Sequence, residues 1–155
     1  MSFKAAPLNK AHATNSSATS FAAKVATVTE PAGTGVINVQ GADTVELMPY
    51  GTGADDTTFD MRVIGWRALR GTWVPTQICT ISCTLSTAVG DGGGQLTTSE
   101  RFADTITVGS GIAVAPSVAA NTPALVSIDS SGFEYVEMIF DMTGATDANA
   151  LVAAF

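Results

Sequence analysis

A chain of 155 residues fits one domain and is too short for two of full size. Apolar residues make up 46% and charged residues only 14%, so Thr, Ser, Ala, Asn and Gly must carry much of the surface, which suits lasting contact with neighbours. The only charged residues before position 25 are Lys4, Lys10 and Lys24, whereas residues 25–155 hold four Arg against fourteen carboxylates, so a basic arm precedes an acidic body that would repel nucleic acid phosphates.

Residues 1–23 show neither a period of two nor one of 3.6, and stretches such as Asn15-Ser16-Ser17-Ala18-Thr19-Ser20 are small and polar. They are expected to form an extended arm, ordered only where something outside the domain holds it. Its candidate partner-binding residues are Phe3, Leu8 and Phe21 as apolar anchors, with Lys4, Lys10 and Lys24 as cationic ones. From 24 to 155 the chain reads as short strands broken by turns, with no persuasive amphipathic helix and no internal repeat.

The first strands fall at 25–29, 36–40 and 44–48, separated by the turn at 31–35 and by Gly41-Ala42-Asp43. The run Pro49-Tyr50-Gly51-Thr52-Gly53 reads as a punctuated loop. Next comes the clearest alternation, with Phe59, Met61 and Val63 on one face and Asp60 and Arg62 on the other, a strand with one wet side. Residues 77–86 repeat the pattern, placing Cys79, Ile81, Cys83 and Leu85 opposite Thr80, Ser82, Thr84 and Ser86. After the flexible Gly90-Asp91-Gly92-Gly93-Gly94 come strands at 101–108, 112–115 and 124–129. The segment 133–142 is apolar at both parities, as a central or covered strand would be. Eight to ten strands at this spacing predict an all-β, single-domain β-sandwich, a jelly roll in the first place and an immunoglobulin-like sandwich in the second.

Catalytic groups are scarce. The single histidine, His12, lies in the arm, where it could not hold hydrogen-bond geometry as a base for a Ser or Cys nucleophile. No G-x-S-x-G elbow, Walker loop or dinucleotide loop occurs, and the expectation is of a chain that is not an enzyme and takes no cofactor. Cys79 and Cys83 lie about 13 Å apart along a strand, too far for a disulfide, and read as small core thiols. Asp55, Asp56 and Asp60 cluster, but in a turn where Asp is expected for its local hydrogen bonds; neither a glycosidase pair nor an EF-hand spacing is formed, and no metal is expected. Trp66 is expected in the core and Trp73 at a sheet end, with Tyr50 and Tyr135 as further candidates for a sugar-stacking platform. No apolar run reaches the ~18 residues of a membrane span, and no compact apolar leader precedes the arm, so synthesis in the producing cell's cytoplasm and no membrane partner are expected.

The run Glu46-Leu47-Met48-Pro49-Tyr50-Gly51-Thr52-Gly53, continuing through Phe59-Asp60-Met61-Arg62-Val63-Ile64-Gly65-Trp66 to Trp73-Val74-Pro75 and Cys83-Thr84-Leu85-Ser86, resembles small structural proteins encoded beside the major capsid protein in tailed bacteriophages. The ending Gly144-Ala145-Thr146-Asp147-Ala148-Asn149-Ala150-Leu151 is similar to theirs, while the arm has no counterpart. The resemblance implies a virion component with a jelly-roll body, a capsid decoration or cement protein bound to the major capsid protein on the outer surface. Such proteins sit at threefold positions, which implies a homotrimer. The alternatives are a virion-displayed carbohydrate-binding or host-adhesion module and a neck or tail component.

Overall fold

The computed structural model describes residues 4–8, 30–31, 35–53, 57–85, 101–111, 114–117, 124–141, 144 and 147–154. Among these are ten strands and no helix: β1 (Lys4–Leu8), β2 (Val36–Asn38), β3 (Thr44–Thr52), β4 (Thr58–Leu69), β5 (Thr72–Leu85), β6 (Arg101–Gly111), β7 (Val114–Ser117), β8 (Leu125–Asp129), β9 (Tyr135–Asp141) and β10 (Asp147–Ala154). The domain is all-β, as expected. The strand expected at 25–29, the Asp55-Asp56 turn, the glycine-rich 90–94 loop and the boundary between arm and body at 23/24 lie outside the described residues.

Every strand pairing is antiparallel, in the order β1-β10-β3-β6-β5-β4-β9-β2, with β8 on β3 and β7 on β8. The sheet is curled into a half-barrel, and β6 carries the chain from one half to the other. Its first residues pair with β3, through Arg101 and Phe102, and the rest of it pairs with β5. The inner face is filled by alternate residues: Val45 and Leu47 of β3, Phe59, Met61 and Val63 of β4, Ile81, Cys83 and Leu85 of β5, Val126 and Ile128 of β8, and Val136, Met138 and Phe140 of β9. Small residues complete it, with Ala148, Ala150 and Ala154 contributed by β10. Phe59 and Phe140 meet at a ring separation of 6.2 Å.

Two irregularities shape the curl. Val63 faces Cys79 but Ile64 faces Gln77, so Ile78 is an extra residue on β5, and both Ile78 and Cys79 are buried. A bulge of this kind bends its strand and raises the local twist. The second feature lies at the end of the β3–β8 ladder, where the connections β2–β3 and β8–β9 cross between the halves. Ser130, fully buried, donates its N–H to the Asp43 carbonyl and its Oγ to the Ala42 carbonyl, each at 2.9 Å, while its own carbonyl accepts from the Phe133 N–H. These bonds tie the β2–β3 turn to the β8–β9 turn.

The four prolines inside described strands obey the rule that a residue without an N–H avoids a fully paired position. Pro7 and Pro116 lie on the edge strands β1 and β7. Pro75 lies on the part of β5 that β6 does not reach. Pro49 falls where β3 has been left by β8 at Leu47 and not yet met by β6 at Tyr50. This explains why the expected loop at 49–53 is strand as far as Thr52: the gap between two partners absorbs the proline, while β10 pairs continuously along the other side.

Removing the Ser130 hydroxyl leaves the Ala42 carbonyl without that donor. The Ser130→Ala variant is expected to lose about 1–3 kcal/mol of unfolding free energy, measured by urea denaturation at pH 7.

Candidate partner-binding surfaces

The sequence-designated arm residues divide into two groups. Lys4 and Leu8 are the first and last residues of β1, opposite Ala154 and Ala150 of β10. Phe3, Lys10, Phe21 and Lys24 lie outside the described residues. The structure therefore brings Lys4 and Leu8 together on one strand at the end of the sheet. The body's own last strand holds this part of the arm, which modifies the expectation that only an external partner would order it. The signal missed in the sequence was β10 itself. Its buried Ala148, Ala150, Val152 and Ala154 alternate correctly, but alanine is a weak strand marker.

On the outer face of β5, β4 and β9, side chains from neighbouring strands are bonded in a ladder. Ser82 Oγ donates to Asp60 Oδ1 at 2.6 Å, and Arg62 Nη1 donates to Asp141 Oδ2 at 3.3 Å. The Trp66 indole N–H donates to Glu137 Oε2 at 2.8 Å, and the Ala68 N–H donates to Glu134 Oε1 at 2.9 Å. Asp60 is thus tied to structure, and so are Glu134, Glu137 and Asp141. Arg62 and Asp141 retain enough exposure for their ion pair to contribute at most about 1 kcal/mol.

Around this ladder lies a second, smaller apolar cluster of Ile64, Trp66 and Ile139, with Trp73 and Tyr135 packed against it. Trp66 is buried as expected, although on the outer face and not beside Phe59. Trp73 stands two residues past the β4–β5 turn, at a sheet end as expected, and is half-buried with its ring edge-on to Tyr135 at 5.5 Å. Tyr50 corrects the sequence reading. It is 3% exposed and meets Phe102 edge-on at 6.2 Å, so it has no face to offer a sugar. It lies on the face of β3 opposite Val45 and Leu47, covered there by Phe102 of β6, because β3 continues as a strand through position 50 and pairs Tyr50 with Phe102.

Cys79 and Cys83 are unbridged and buried, as the strand spacing required. Burial pushes the Cys79 thiol up to about 12, and burial together with the Asp60 charge raises Cys83 further still, so both are neutral thiols at physiological pH. Asp129, at the surface, is shifted the other way by hydrogen bonds from Ser131, its side chain first and its backbone second. Among the described residues no group of three or more His, Cys, Asp or Glu side chains is placed to hold a metal ion, and no helix is long and apolar enough to cross a membrane.

Two outcomes follow from these contacts. A thiol raised in the folded state stabilises the fold below its unfolded value near 9, and that contribution falls as pH rises from there towards the folded value. Between pH 8 and pH 10 unfolding should become easier by roughly 2–3 kcal/mol through the two thiols, a slope that Cys79→Val with Cys83→Val removes in urea titrations at both pH values. Trp66→Phe keeps an aromatic ring but removes the indole donor to Glu137 and leaves the volume of the lost second ring empty in a fully buried site, and is expected to cost about 2–4 kcal/mol, read by the same titration at pH 7. No family model, curated protein or solved structure matches this chain.

Proposed function

We propose that this chain is a structural virion protein that binds the outer surface of a tailed-phage capsid and stabilises it as a decoration or cement protein. In this reading it is made in the host cytoplasm, assembles as a homotrimer and takes the major capsid protein as its partner. The observation that carries the reading is the edge strand β1. It is a basic segment on an acidic body, paired on one side with β10 and, among the described residues, with no strand on the other. An open strand edge is a template for another chain, with main-chain hydrogen bonds giving affinity and flanking side chains giving choice.

The chemistry of the body supports the same reading. Its two thiols are buried and neutral, four of its carboxylates are bonded within the β-sheet ladder, and the surface is poor in charge. Surface burial against several subunits is what such a molecule can supply, and repeated copies on a lattice convert modest contacts into avidity. The curled sheet, with its two facing halves, is the body we take as jelly-roll-like in this proposal.

A second reading rests on the half-buried Trp73 and Tyr135, an aromatic pair that could stack a sugar ring. A glycan array probed with the wild-type chain and with Trp73→Ala separates the two: binding that the variant loses favours the adhesion module, and no binding favours the capsid reading.

Deleting residues 2–20 removes β1 and two of the three arm lysines. The deletion is expected to leave a folded body and to weaken occupancy on purified capsids by about ten-fold or more, measured by co-sedimentation across a protein titration. Unchanged occupancy would remove the arm from the account.

A further inference from the structure

The tip of the β4–β5 hairpin departs from the rest of the surface. β9 pairs with β4 only as far as Trp66, and β6 meets β5 only from Cys79 onward, so residues 67–69 and 72–74 form a two-stranded ribbon that neither neighbour pairs with, Trp73 packing on Tyr135 at its base. Residues 67–72 are all exposed, and Leu69, at 52%, is the only large apolar side chain exposed among the described residues. The ribbon is held in place at its base, where Arg67 lies over the Phe133 ring at 5.8 Å and the Glu134 N–H donates to the Trp66 carbonyl at 2.8 Å.

The turn itself carries an unusual choice of residue. Arg70 and Gly71 are its two central residues, with φ of 53° and 79°, joining Leu69 to its partner Thr72. Such two-residue turns favour Asn or Gly at the first position, because a longer side chain is disfavoured at positive φ. Arg70 is the only non-glycine residue at positive φ among the described residues. A guanidinium kept at a strained apex points to a use for it. Of the four arginines, Arg62 is bonded to Asp141 and Arg101 donates to the Gly53 carbonyl, while Arg67 and Arg70 flank the exposed leucine.

A surface of complementary character lies at the same end of the sheet. The Ser130 bonds bring Ala42 and Asp43 beside the β8–β9 turn, whose far end meets the hairpin base at Trp66 and Tyr135. Asp43 and Asp129 are exposed there and Ala42 is half-buried. Asp129 Oδ1 accepts from the Ser131 N–H at 2.9 Å, which fixes the carboxylate in place.

We propose that the hairpin tip of one copy seats on the Asp43–Asp129 corner of a second copy of this chain, with Arg67 and Arg70 against the two carboxylates and Leu69 against Ala42. Tip and corner are different surfaces, so the contact is head-to-tail and closes into a ring when the rotation permits. As the contact that builds the trimer, it rests on the reading given under Proposed function.

Sedimentation equilibrium of the purified full chain at low salt tests it without any capsid. Wild type is expected to self-associate, less tightly at high salt. R67E/R70E and D43R/D129R should each weaken association about ten-fold or more, and the fourfold exchange D43R/R67E/R70E/D129R should recover most of it. Arg70→Gly provides a check independent of folding: it relieves the positive φ and should raise the thermal midpoint while weakening association. A wild-type chain that is monomeric throughout, doubly substituted variants that associate like wild type, or a folded fourfold variant that fails to recover would each overturn the contact. Capsid co-sedimentation of the same proteins is scored separately. Intact self-association without capsid binding sinks the virion reading and leaves the hairpin contact standing.

Discussion

A single antiparallel sheet can cover its own apolar face only by curling until one half lies over the other. Here the two connections that cross between the halves, β2–β3 and β8–β9, are tied to each other by Ser130, whose N–H and hydroxyl reach the Asp43 and Ala42 carbonyls at the end of the β3–β8 ladder. β3 and β8 face β4 and β9, so that Leu47, Val126 and Ile128 share a core with Phe59, Met61 and Phe140. Other features are compatible with the curl. The extra Ile78 bends β5, Gly65 leaves room for the Phe133 ring where a Cβ would come within 2.5 Å of it, and β10 contributes alanines to the core.

The curl also decides what is left for function. With the inner face dry and filled, the outer face of β5, β4 and β9 knits its strands together through Asp60, Arg62, Trp66 and their partners. Polar groups joined in this way specify strand register, since a slip of one residue would separate every pair at once. Among the described residues, two margins also stand open: the unpaired edge of β1, and the ribbon beyond Trp66 where β4 and β5 outrun their neighbours. Margins of this kind suit contacts between chains, which is the use the proposed function makes of them.

Much of this was legible in the sequence, and the exceptions have physical reasons. The alternation in 59–63 and 79–85 and the two-sided apolar character of 135–141 translate directly into buried and solvent-facing positions. The strand β10 went unread because its inward residues are alanines, whose pattern is clear only once a partner strand is known. Residues 49–53 read as a loop in the sequence, although a gap between two partner strands accommodates Pro49. The hairpin tip was hidden for a different reason. Its exposure arises from unequal strand lengths, a property of four strands together that the local sequence around Leu69 does not encode. One clue was present: Arg70-Gly71 has the two-residue spacing of a tight hairpin between segments rich in strand-forming residues. Of the arm residues, Lys4 and Leu8 find a place on a strand, which the absence of periodicity in that region did not foretell.

The claim at the centre of this account is that the chain works by covering a shell with many copies of itself. A reconstruction of purified particles, with the chain quantified against the major capsid protein by mass spectrometry, tests it most directly. The account predicts density for the half-barrel across the whole outer shell, as threefold clusters in fixed proportion to capsid subunits. Density confined to one ring at a single vertex, or particles that lack the chain altogether, would contradict it.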